Sequence, residues 1–289
     1  MIFSYNFFKS DKFLLRYISR YLLSKLSKIN RSFNYPQFVL LNHDYVSSDI
    51  IIDGYYEIKE LKILCEWLKQ KKKINCVLDV GAYLGNHTLF FSNYFKNIIS
   101  FEPNSFSFKL LELNTRNKNN IKIYNFGLSN KNSIKDFYSY NLNYGGSSTK
   151  KNNKLKFQKI KAKFLKYDNL KIKKKIDLIK IDVEGDELNV LQGMNICLNK
   201  HKPIVIFECH KKEFKNGTTK VIEFLKKKNY KNFYSIENYR SSNVDIVDKF
   251  LNLIKFILFS RKKYIIKKSK FESKFYSFII AEYDFKKAN

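Results

Sequence analysis

Residues 77–85, VLDVGAYLG, constrain the fold of this chain more than any other stretch. The first of them are apolar and β-prone, as in a central parallel strand that is covered on both faces. Asp79 lies near the end of this strand. Gly81 and Gly85 bracket a turn, where a missing Cβ lets another backbone or a ligand come close. Apolar residues from Leu89 onward continue into an amphipathic helix, so the stretch predicts a strand, a glycine loop and a helix.

The spacing of these glycines discriminates between nucleotide cofactors. A dinucleotide site uses G-x-G-x-x-G, whereas this loop has the pattern D-x-G-x-x-x-G, with Tyr83 in place of the second glycine. The next predicted strand ends at Glu102, and a carboxylate there can accept hydrogen bonds from both hydroxyls of a ribose. S-adenosylmethionine has this ribose and no phosphate, so it is the expected cofactor. The predicted cofactor-binding residues of this part of the chain are Asp79, Gly81, Ala82, Gly85 and Glu102. An ordinary βα turn followed by a solvated glutamate is the alternative.

The composition favours one large α/β domain with appendages. The chain has 289 residues, of which 44% are hydrophobic and 17% aromatic, and this is enough for a full core. A formal charge of +29, from 55 basic and 26 acidic residues, suggests a nucleic-acid or anionic-membrane partner. The lysines are nevertheless spread along the chain, as expected if an A/T-rich coding sequence enriched them. The charge therefore identifies no partner by itself.

The cysteines and apolar runs indicate an intracellular protein. Cys65, Cys76, Cys197 and Cys209 contain no C-x-x-C pair, which is typical of reduced thiols in a core. No signal peptide is evident, and no apolar stretch reaches the roughly 18 residues that span a bilayer. The expected location is the cytoplasm.

The segment 11–30 predicts a basic amphipathic helix. Lys12, Arg16, Arg20 and Lys28 follow one face, and Leu14, Ile18, Leu22, Leu26 and Ile29 follow another. Such a helix can lie on an anionic membrane, or it can pack on the domain or on a partner chain. Residues 36–60 are expected to be irregular or β-like, and helical periodicity resumes from 58 to 70.

The region after Glu102 predicts a helix, a strand and a loop. Asn104 can cap a helix to about residue 117, and residues 121–129 form the third strand and its exit. In such a sheet, the residues after this strand pass the base of the cofactor. Gly127, Leu128 and Ser129 are therefore candidates for an adenine wall, with a plain turn as the alternative.

A strand pair is predicted at 134–140 and 157–165. The loop between these strands is rich in Gly, Ser, Asn and Lys and contains Gly145, Gly146 and Ser147. A loop of this length in a compact domain is usually functional, and we expect a lid.

Four ionisable side chains follow two further predicted strands. Residues 176–193, IDLIKIDVEGDELNVLQG, place Asp182 and Glu184 at the carboxyl end of a strand, on one face if the strand persists that far. Residues 203–210, PIVIFECH, place Glu208 and His210 at the end of the next strand. We expect all four to converge, although helix caps or solvated carboxylates are the alternative. The remaining patterns predict a helix at 217–229, a strand at 230–236, a helix at 247–260 and a strand at 274–284.

The chain from about residue 75 to 285 resembles the FkbM-type methyltransferases of the class I S-adenosylmethionine-dependent fold. Three stretches carry the resemblance: VLDVGAYLGNHT with FEPN downstream, LIKIDVEGDELNVLQG, and IVIFECH. It implies a mostly parallel, Rossmann-like seven-stranded sheet with helices on both faces. The methyltransferase domain would comprise residues 71–289, and residues 1–70 would form a basic helical N-terminal extension. Residues 1–70 and 237–272 have no usable match, and substrate choice is expected there.

The family's reactions are mainly O-methylations of sugar or polyketide hydroxyls, often of surface glycans. The resemblance implies that Asp182, Glu184, Glu208 and His210 lie on the acceptor side. His210 could remove the hydroxyl proton, oriented by a carboxylate. Alternatively, Asp182, Glu184 and Glu208 could hold a Mg²⁺ that lowers the pKa of the hydroxyl. The metal-free version is favoured slightly.

Two other functions stay open at this point. A nucleic-acid methyltransferase would suit the charge, but the sequence has no Asn/Asp-Pro-Pro-aromatic run, and its three prolines are isolated. A non-catalytic scaffold would be expected to lose the glycines or the acidic strand ends, and both are present. If the glycan is lipid-linked, the basic helix predicts peripheral contact with the inner membrane face.

Overall fold

A computed structural model describes residues 12–42, 44–71, 73–140, 143–149, 157–238 and 263–285. The helices are α1 (Lys12–Ser32), α2 (Tyr45–Asp53), α3 (Ile58–Lys69), α4 (Asn86–Ser92), α5 (Ser105–Thr115), α6 (Glu187–Gln192), α7 (Asn195–His201) and α8 (Lys220–Lys227). The strands are β1 (Cys76–Val80), β2 (Asn97–Phe101), β3 (Ile121–Tyr124), β4 (Gly127–Leu128), β5 (Ser133–Tyr140), β6 (Asn143–Ser148), β7 (Phe157–Leu165), β8 (Leu178–Ile181), β9 (Ile204–Cys209), β10 (Tyr230–Asn238), β11 (Lys263–Lys268) and β12 (Tyr276–Tyr283).

The main sheet has eight strands in the order β11-β10-β12-β9-β8-β1-β2-β3. The five strands from β3 to β9 are parallel, whereas β12, β10 and β11 each run antiparallel to the preceding neighbour. The predicted mostly parallel sheet is thus confirmed only in part, since three of its strand pairs are antiparallel. The predicted count of seven strands was wrong because β11 extends the edge of the sheet. The sequence KYIIKK is short and bounded by lysines, as in an edge strand that is protected from further pairing.

Helices cover both faces of this sheet, as predicted. In β9, Ile204 and Ile206 pack in one core cluster with side chains of α3 and α4. Val205 and Phe207 point to the other face and pack with side chains of α6, α7 and α8. This alternation follows from the two-residue period of a strand, and it explains why the strands contain so few polar residues.

A smaller sheet of four strands, in the order β4-β7-β5-β6, accounts for the predicted strand pair. β5 and β7 pair antiparallel in continuous register from Ser133 and Phe164 to Tyr140 and Phe157. The prediction of a loop was wrong at residues 143–148, because they form strand β6 along β5. Residues 141–142 and 150–156 of the predicted loop lie outside the described residues, and the lid stays a prediction. Gly127 and Leu128 are likewise a strand, paired with the end of β7, and not a plain turn.

The N-terminal region is more helical than expected. The predicted first helix is confirmed as α1, but residues 36–60 are not irregular throughout, because α2 lies within them. Asp44 caps α2 by accepting a hydrogen bond from the Ser47 backbone at 2.9 Å, and Gly54 ends it with a φ of 81°. Helix α3 contributes Leu61 and Leu64 to the same core as α4. The division of the chain at residue 70 stays a prediction.

Other expected elements have clear outcomes. The helices after Asn104 and at 217–229 are confirmed as α5 and α8, and the last strand is confirmed as β12. The expected helix at 247–260 lies outside the described residues. All four cysteines are buried and unpaired, as expected for core thiols. Within the described ranges, no helix combines the length and the apolar content that crossing a bilayer requires.

The loops that follow β1 and β8 touch through their backbones. Gly81 has a φ of +83°, and a Cβ built on it would lie 1.8 Å from the carbonyl oxygen of Asp182. The Gly81 and Ala82 amides both donate to the carbonyl of Phe101, at 3.0 and 3.1 Å. A side chain at position 81 would therefore separate two strand ends that the site requires to be close.

We predict that Gly81→Ala destabilises the fold more than Gly217→Ala does. Gly217 also has a positive φ, +77°, but its nearest neighbour to an added Cβ is at an ordinary 3.4 Å. The left-handed backbone should cost each variant about 1–2 kcal/mol. The clash should add at least about 2 kcal/mol for Gly81→Ala. Urea unfolding monitored by circular dichroism measures both, and equal costs would contradict the close approach.

Candidate active site

A cavity of about 250 Å³ lies at the carboxyl ends of the central strands. Gly81 and Ala82 line it after β1, and Glu102 lines it after β2. Asp182, which follows β8, and Glu208, near the end of β9, line the same cavity. Residues that are far apart in the sequence thus meet at the edge of the sheet where α/β proteins bind their ligands.

Glu102 is a buried carboxyl group held by two backbone amides. Its Oε2 accepts a hydrogen bond from Tyr83 at 2.9 Å, and its Oε1 accepts one from Asn104 at 2.8 Å. Burial raises the pKa of Glu102 to about 7, although both amides oppose the shift. The side chain is therefore fixed in position at the cavity wall, where it can receive hydroxyl donors.

An apolar wall from the small sheet lies beside Glu102. Leu128, Phe137 and Phe164 line this part of the cavity together with Gly127. A Cβ on Gly127 would lie 2.4 Å from the Phe164 ring, so the glycine allows the ring to lie against the strand. The two phenylalanines were missed from the sequence because their contact with the cavity depends on the pairing of β4 with β7. Alternation in β5 and β7 was the signal that could have found them.

Three of the predicted cofactor residues lie behind the cavity wall. Ser129 is fully buried, and its hydroxyl accepts a hydrogen bond from Lys135 at 2.9 Å. Gly85, with a φ of 95°, precedes α4 and faces Leu111. Asp79 accepts a hydrogen bond from Thr88 at 2.6 Å and is also fully buried. These residues support the loop, whereas Gly81, Ala82, Glu102, Gly127 and Leu128 line the cavity.

Lys180 lies between Asp79, behind the glycine loop, and Asp182, at the cavity. It was not identified as a site residue from the sequence. Its ammonium group lies 3.3 Å from Asp79 Oδ1 and 3.3 Å from Asp182 Oδ2, and the side chain is only 3% exposed. Burial lowers the pKa of Lys180, but the two carboxylates outweigh it and raise the pKa. A lysine inside the apolar strand LIKI was the signal, since a buried lysine needs anionic partners.

Asp182 and Glu208 form a carboxyl pair across β8 and β9. Burial opposes ionisation of Asp182, but Lys180 and His87 outweigh it and lower its pKa. Burial, followed by the charges of Asp182 and Glu184, raises the pKa of Glu208 to about 11. Glu208 is therefore protonated and hydrogen-bonds to the Asp182 carboxylate.

Glu184 reaches this cluster in a different way from that expected. Strand β8 ends at Ile181, and Glu184 has a φ of +56°, so the extended conformation does not persist to it. The expectation that Asp182 and Glu184 share a strand face is wrong. The turn nevertheless brings Glu184 Oε2 to 3.4 Å from His210 Nε2.

His210 lies at the edge of the cluster. Its Nε2 is 3.6 Å from Glu208 Oε2, but the residue does not line the cavity. The hydrogen bond with Glu184 raises the pKa of His210, although burial opposes the shift. About a third of the side chain is exposed, so His210 connects the buried carboxyl groups with solvent.

A metal ion would have a different ligand set from the one expected. Among the described residues, one ligand atom each of Glu184, Glu208 and His210 lie within 4.8 Å of one another. Asp182 is not in this group, and its carboxylate pairs with Lys180. A mixed imidazole and carboxylate set suits a transition metal better than Mg²⁺. The predicted magnesium site stays a prediction.

Residues before β1 form a further wall of the cavity, and no sequence motif predicted them. Tyr45 and Val46 of α2 line the cavity, as does Tyr56. Asn86 of α4 fixes the Tyr56 backbone through two hydrogen bonds, of 2.9 and 3.0 Å. Burial, followed by the charges of Glu57, Asp182 and Glu208, raises the pKa of Tyr56.

Several solved methyltransferase structures are similar to this chain. The FkbM methyltransferase of Methylobacillus flagellatus is 18% identical, with a TM-score of 0.35 over 47% of this chain and 32% of that one. This chain thus spans about a third of that protein. The precorrin-6y C5,15-methyltransferase of Geobacter metallireducens is 11% identical, with a TM-score of 0.42 and coverages of 86% and 95%. An rRNA methylase of Streptococcus thermophilus is 10% identical, with a TM-score of 0.39 and coverages of 77% and 95%.

No curated protein matches the sequence. A family model, by contrast, matches residues 79–231 and is described as the methyltransferase FkbM domain. This range is more than half of the chain, and it extends from the end of β1 to the start of β10. It includes the glycine loop and the four residues that the resemblance predicted for the acceptor side, and it confirms the resemblance. The chain belongs to the FkbM methyltransferase family.

Proposed function

We propose that this chain is an S-adenosylmethionine-dependent O-methyltransferase for a hydroxyl group on a sugar of a surface glycan or a related small molecule. One observation carries the proposal: a single cavity contains three features that the reaction needs. These are a carboxyl group, Glu102, that can accept hydrogen bonds from a ribose, an apolar wall, and the carboxyl pair of Asp182 and Glu208. S-adenosylmethionine would supply the methyl group from its sulfonium. The protein has to hold an acceptor oxygen about 3 Å from that methyl group and remove its proton.

The residues present fit the proposed cofactor. Glu102 is fixed by two amides with its carboxyl group at the cavity, which suits a ribose diol. Leu128, Phe137 and Phe164 offer an apolar surface for adenine. Gly81 and Ala82 line the same cavity as Glu102, so the glycine loop lies where the cofactor would bind. The loop lacks the glycine spacing of a pyrophosphate site, which supports a cofactor without phosphates.

The carboxyl cluster can receive the proton of the acceptor. Asp182 is ionised and accepts a hydrogen bond, while Glu208 carries a proton that it can pass on. Glu208 Oε2 has no hydrogen-bond partner among the described residues and lies 3.6 Å from His210 Nε2. In the proposed step, Asp182 takes the hydroxyl proton and is then neutral beside the protonated Glu208. The neutral His210 takes a proton from this pair, which restores the Asp182 carboxylate, and releases it to solvent. Tyr56 and Tyr45 would position the acceptor against this cluster.

The charge of the cavity argues against a nucleic-acid substrate. Glu102, Asp182, Glu184, Asp186 and Glu208 are all among the described lining residues. Lys180, which also lines it, is already neutralised by two carboxylates. A polyanion gains affinity from basic side chains that contact its phosphates, and this cavity offers acidic ones. A neutral sugar hydroxyl suits it better. The scaffold alternative would require that S-adenosylmethionine does not bind.

We predict that Glu102→Ala weakens S-adenosylhomocysteine binding by about 1–3 kcal/mol, because a charged acceptor for two hydroxyl groups is lost. Glu112→Ala, at an exposed position of α5, is the control and should leave binding unchanged. Calorimetry measures both. Equal affinity in Glu102→Ala and the wild type would remove Glu102 from the cofactor site.

Binding by the wild type should also depend on pH. The pKa of Glu102 is raised to about 7, so the group is mostly protonated at pH 6 and mostly ionised at pH 8. Since hydroxyl donors favour the carboxylate, affinity should rise by up to about tenfold between these values. Glu102→Gln, which cannot ionise, should bind independently of pH. A rise that persists in Glu102→Gln would assign the titration to another group.

We predict that His210→Ala lowers turnover by about 10²–10⁴ and leaves cofactor affinity nearly unchanged. The hydrogen bond with Glu184 raises the pKa of His210, so its neutral, proton-accepting form predominates only at a pH above the pKa of an ordinary histidine. The wild-type rate should therefore rise with pH through a value higher than this, and the variant should lack that rise. Release of S-adenosylhomocysteine with a panel of sugars and nucleotide sugars measures the rate.

His201→Ala is the matched control, since His201 lies at the end of α7 and its ring accepts a hydrogen bond from the Ile176 backbone. It should keep the pH profile of the wild type. If a metal ion is required instead, EDTA should abolish activity, and one divalent metal should restore it. Full turnover by His210→Ala in the presence of EDTA would overturn both versions.

A further inference from the structure

Helix α1 is strongly basic. Its 21 residues include Lys12, Arg16, Arg20, Lys25, Lys28 and Arg31 and contain no acidic residue. A helix of 21 residues is about 31 Å long at 1.5 Å per residue. Because basic residues occur along its whole length, α1 is not a transmembrane helix.

The apolar side chains of α1 lie at the surface. Leu14, Leu15, Ile18, Tyr21, Leu22 and Ile29 are between 45% and 66% exposed. Their positions, at intervals of one, three, four and seven residues, place them along one side of the helix. Arg16, Arg20 and Arg31 project from the opposite side. Core side chains of this protein are at most 9% exposed, so the apolar side of α1 does not pack in the core.

The exposed apolar surface continues from α1 to the cavity. Asn30 of α1 donates a hydrogen bond to the carbonyl of Ile51 in α2, at 3.0 Å. Ile51 and Ile52 of α2 are exposed, whereas Tyr45, at the start of the same helix, lines the cavity. Whatever covers α1 therefore lies close to the wall of the proposed acceptor site.

The positive charge of α1 favours an anionic surface as its binding partner. A second copy of the same helix would bring six more basic residues against it with no acidic residue to pair them. An anionic bilayer accepts both parts of the helix, since apolar side chains enter the acyl boundary and basic ones reach the headgroups. We propose that α1 docks on the surface of an anionic membrane with its apolar side inserted. This proposal is independent of the chemistry assigned to the cavity.

The test is co-sedimentation of the full chain with vesicles of phosphatidylcholine, with and without about 30% phosphatidylglycerol. Binding is expected on the anionic vesicles and should weaken as salt increases. Leu14→Gln, Ile18→Gln and Leu22→Gln together should lower it by about tenfold or more, since three apolar side chains no longer enter the bilayer. Glutamine keeps the helix propensity of the segment.

Matched controls separate this docking from general attraction. Leu113→Gln, Ile134→Gln and Ile196→Gln together remove three apolar side chains that are equally exposed elsewhere, and should leave binding unchanged. Arg16→Gln, Arg20→Gln and Arg31→Gln should lower binding more than Lys171→Gln, Lys173→Gln and Lys227→Gln, which remove the same charge from other exposed positions.

Three results would overturn the proposal. Equal vesicle binding by the α1 variant and its control would show that this face is not inserted. A fall of several degrees in the thermal midpoint of the α1 variant alone would show that the face packs on the chain itself. A dimer in light scattering that the α1 variant dissociates would assign the face to a second copy.

Discussion

The ammonium group of Lys180, buried between Asp79 and Asp182, is the interaction on which the site depends. A buried charge is tolerated only when it is well paired, and removing one partner typically costs about 3–5 kcal/mol. Asp79 lies behind the glycine loop, and Asp182 lies at the cavity. The lysine therefore ties the buried support of the glycine loop to a carboxylate that lines the cavity.

The same lysine determines which carboxyl group carries a proton. It keeps Asp182 ionised, and the negative charge of Asp182 then adds to burial in keeping Glu208 protonated. A donor and an acceptor thus lie side by side at neutral pH, although both are carboxylic acids. Glu184 acts in the same way on His210, whose pKa it raises. The protonation state of each of these groups therefore follows from the charge of its neighbour, from the buried Lys180 to the partly exposed His210.

The sequence was sufficient for elements whose signal is local. Strand β1, the turn at Gly81 and the cap at Asn104 follow from apolar runs, glycine and a capping side chain, and all were predicted. The edge strand β11 was missed because three of its six residues are lysine, and its pairing with β10 supplies the stability that its own sequence lacks. Glu184 was placed at the right site for the wrong reason, since a turn and not a strand carries it there.

The cavity wall formed by residues before β1 depends on contacts that no local pattern contains. Tyr56 is held by Asn86, the first residue of the helix that begins at the glycine loop. His87 follows on the same helix, and its Nε2 lies 3.2 Å from Glu57. A shift of α4 would therefore move the cofactor loop and the Tyr56 wall together. Because α2 begins at the cavity and is bonded to α1 at its other end, the residues before β1 link this cavity wall to the exposed basic helix. The part of the chain with the weakest sequence signal thus forms the side from which an acceptor would approach.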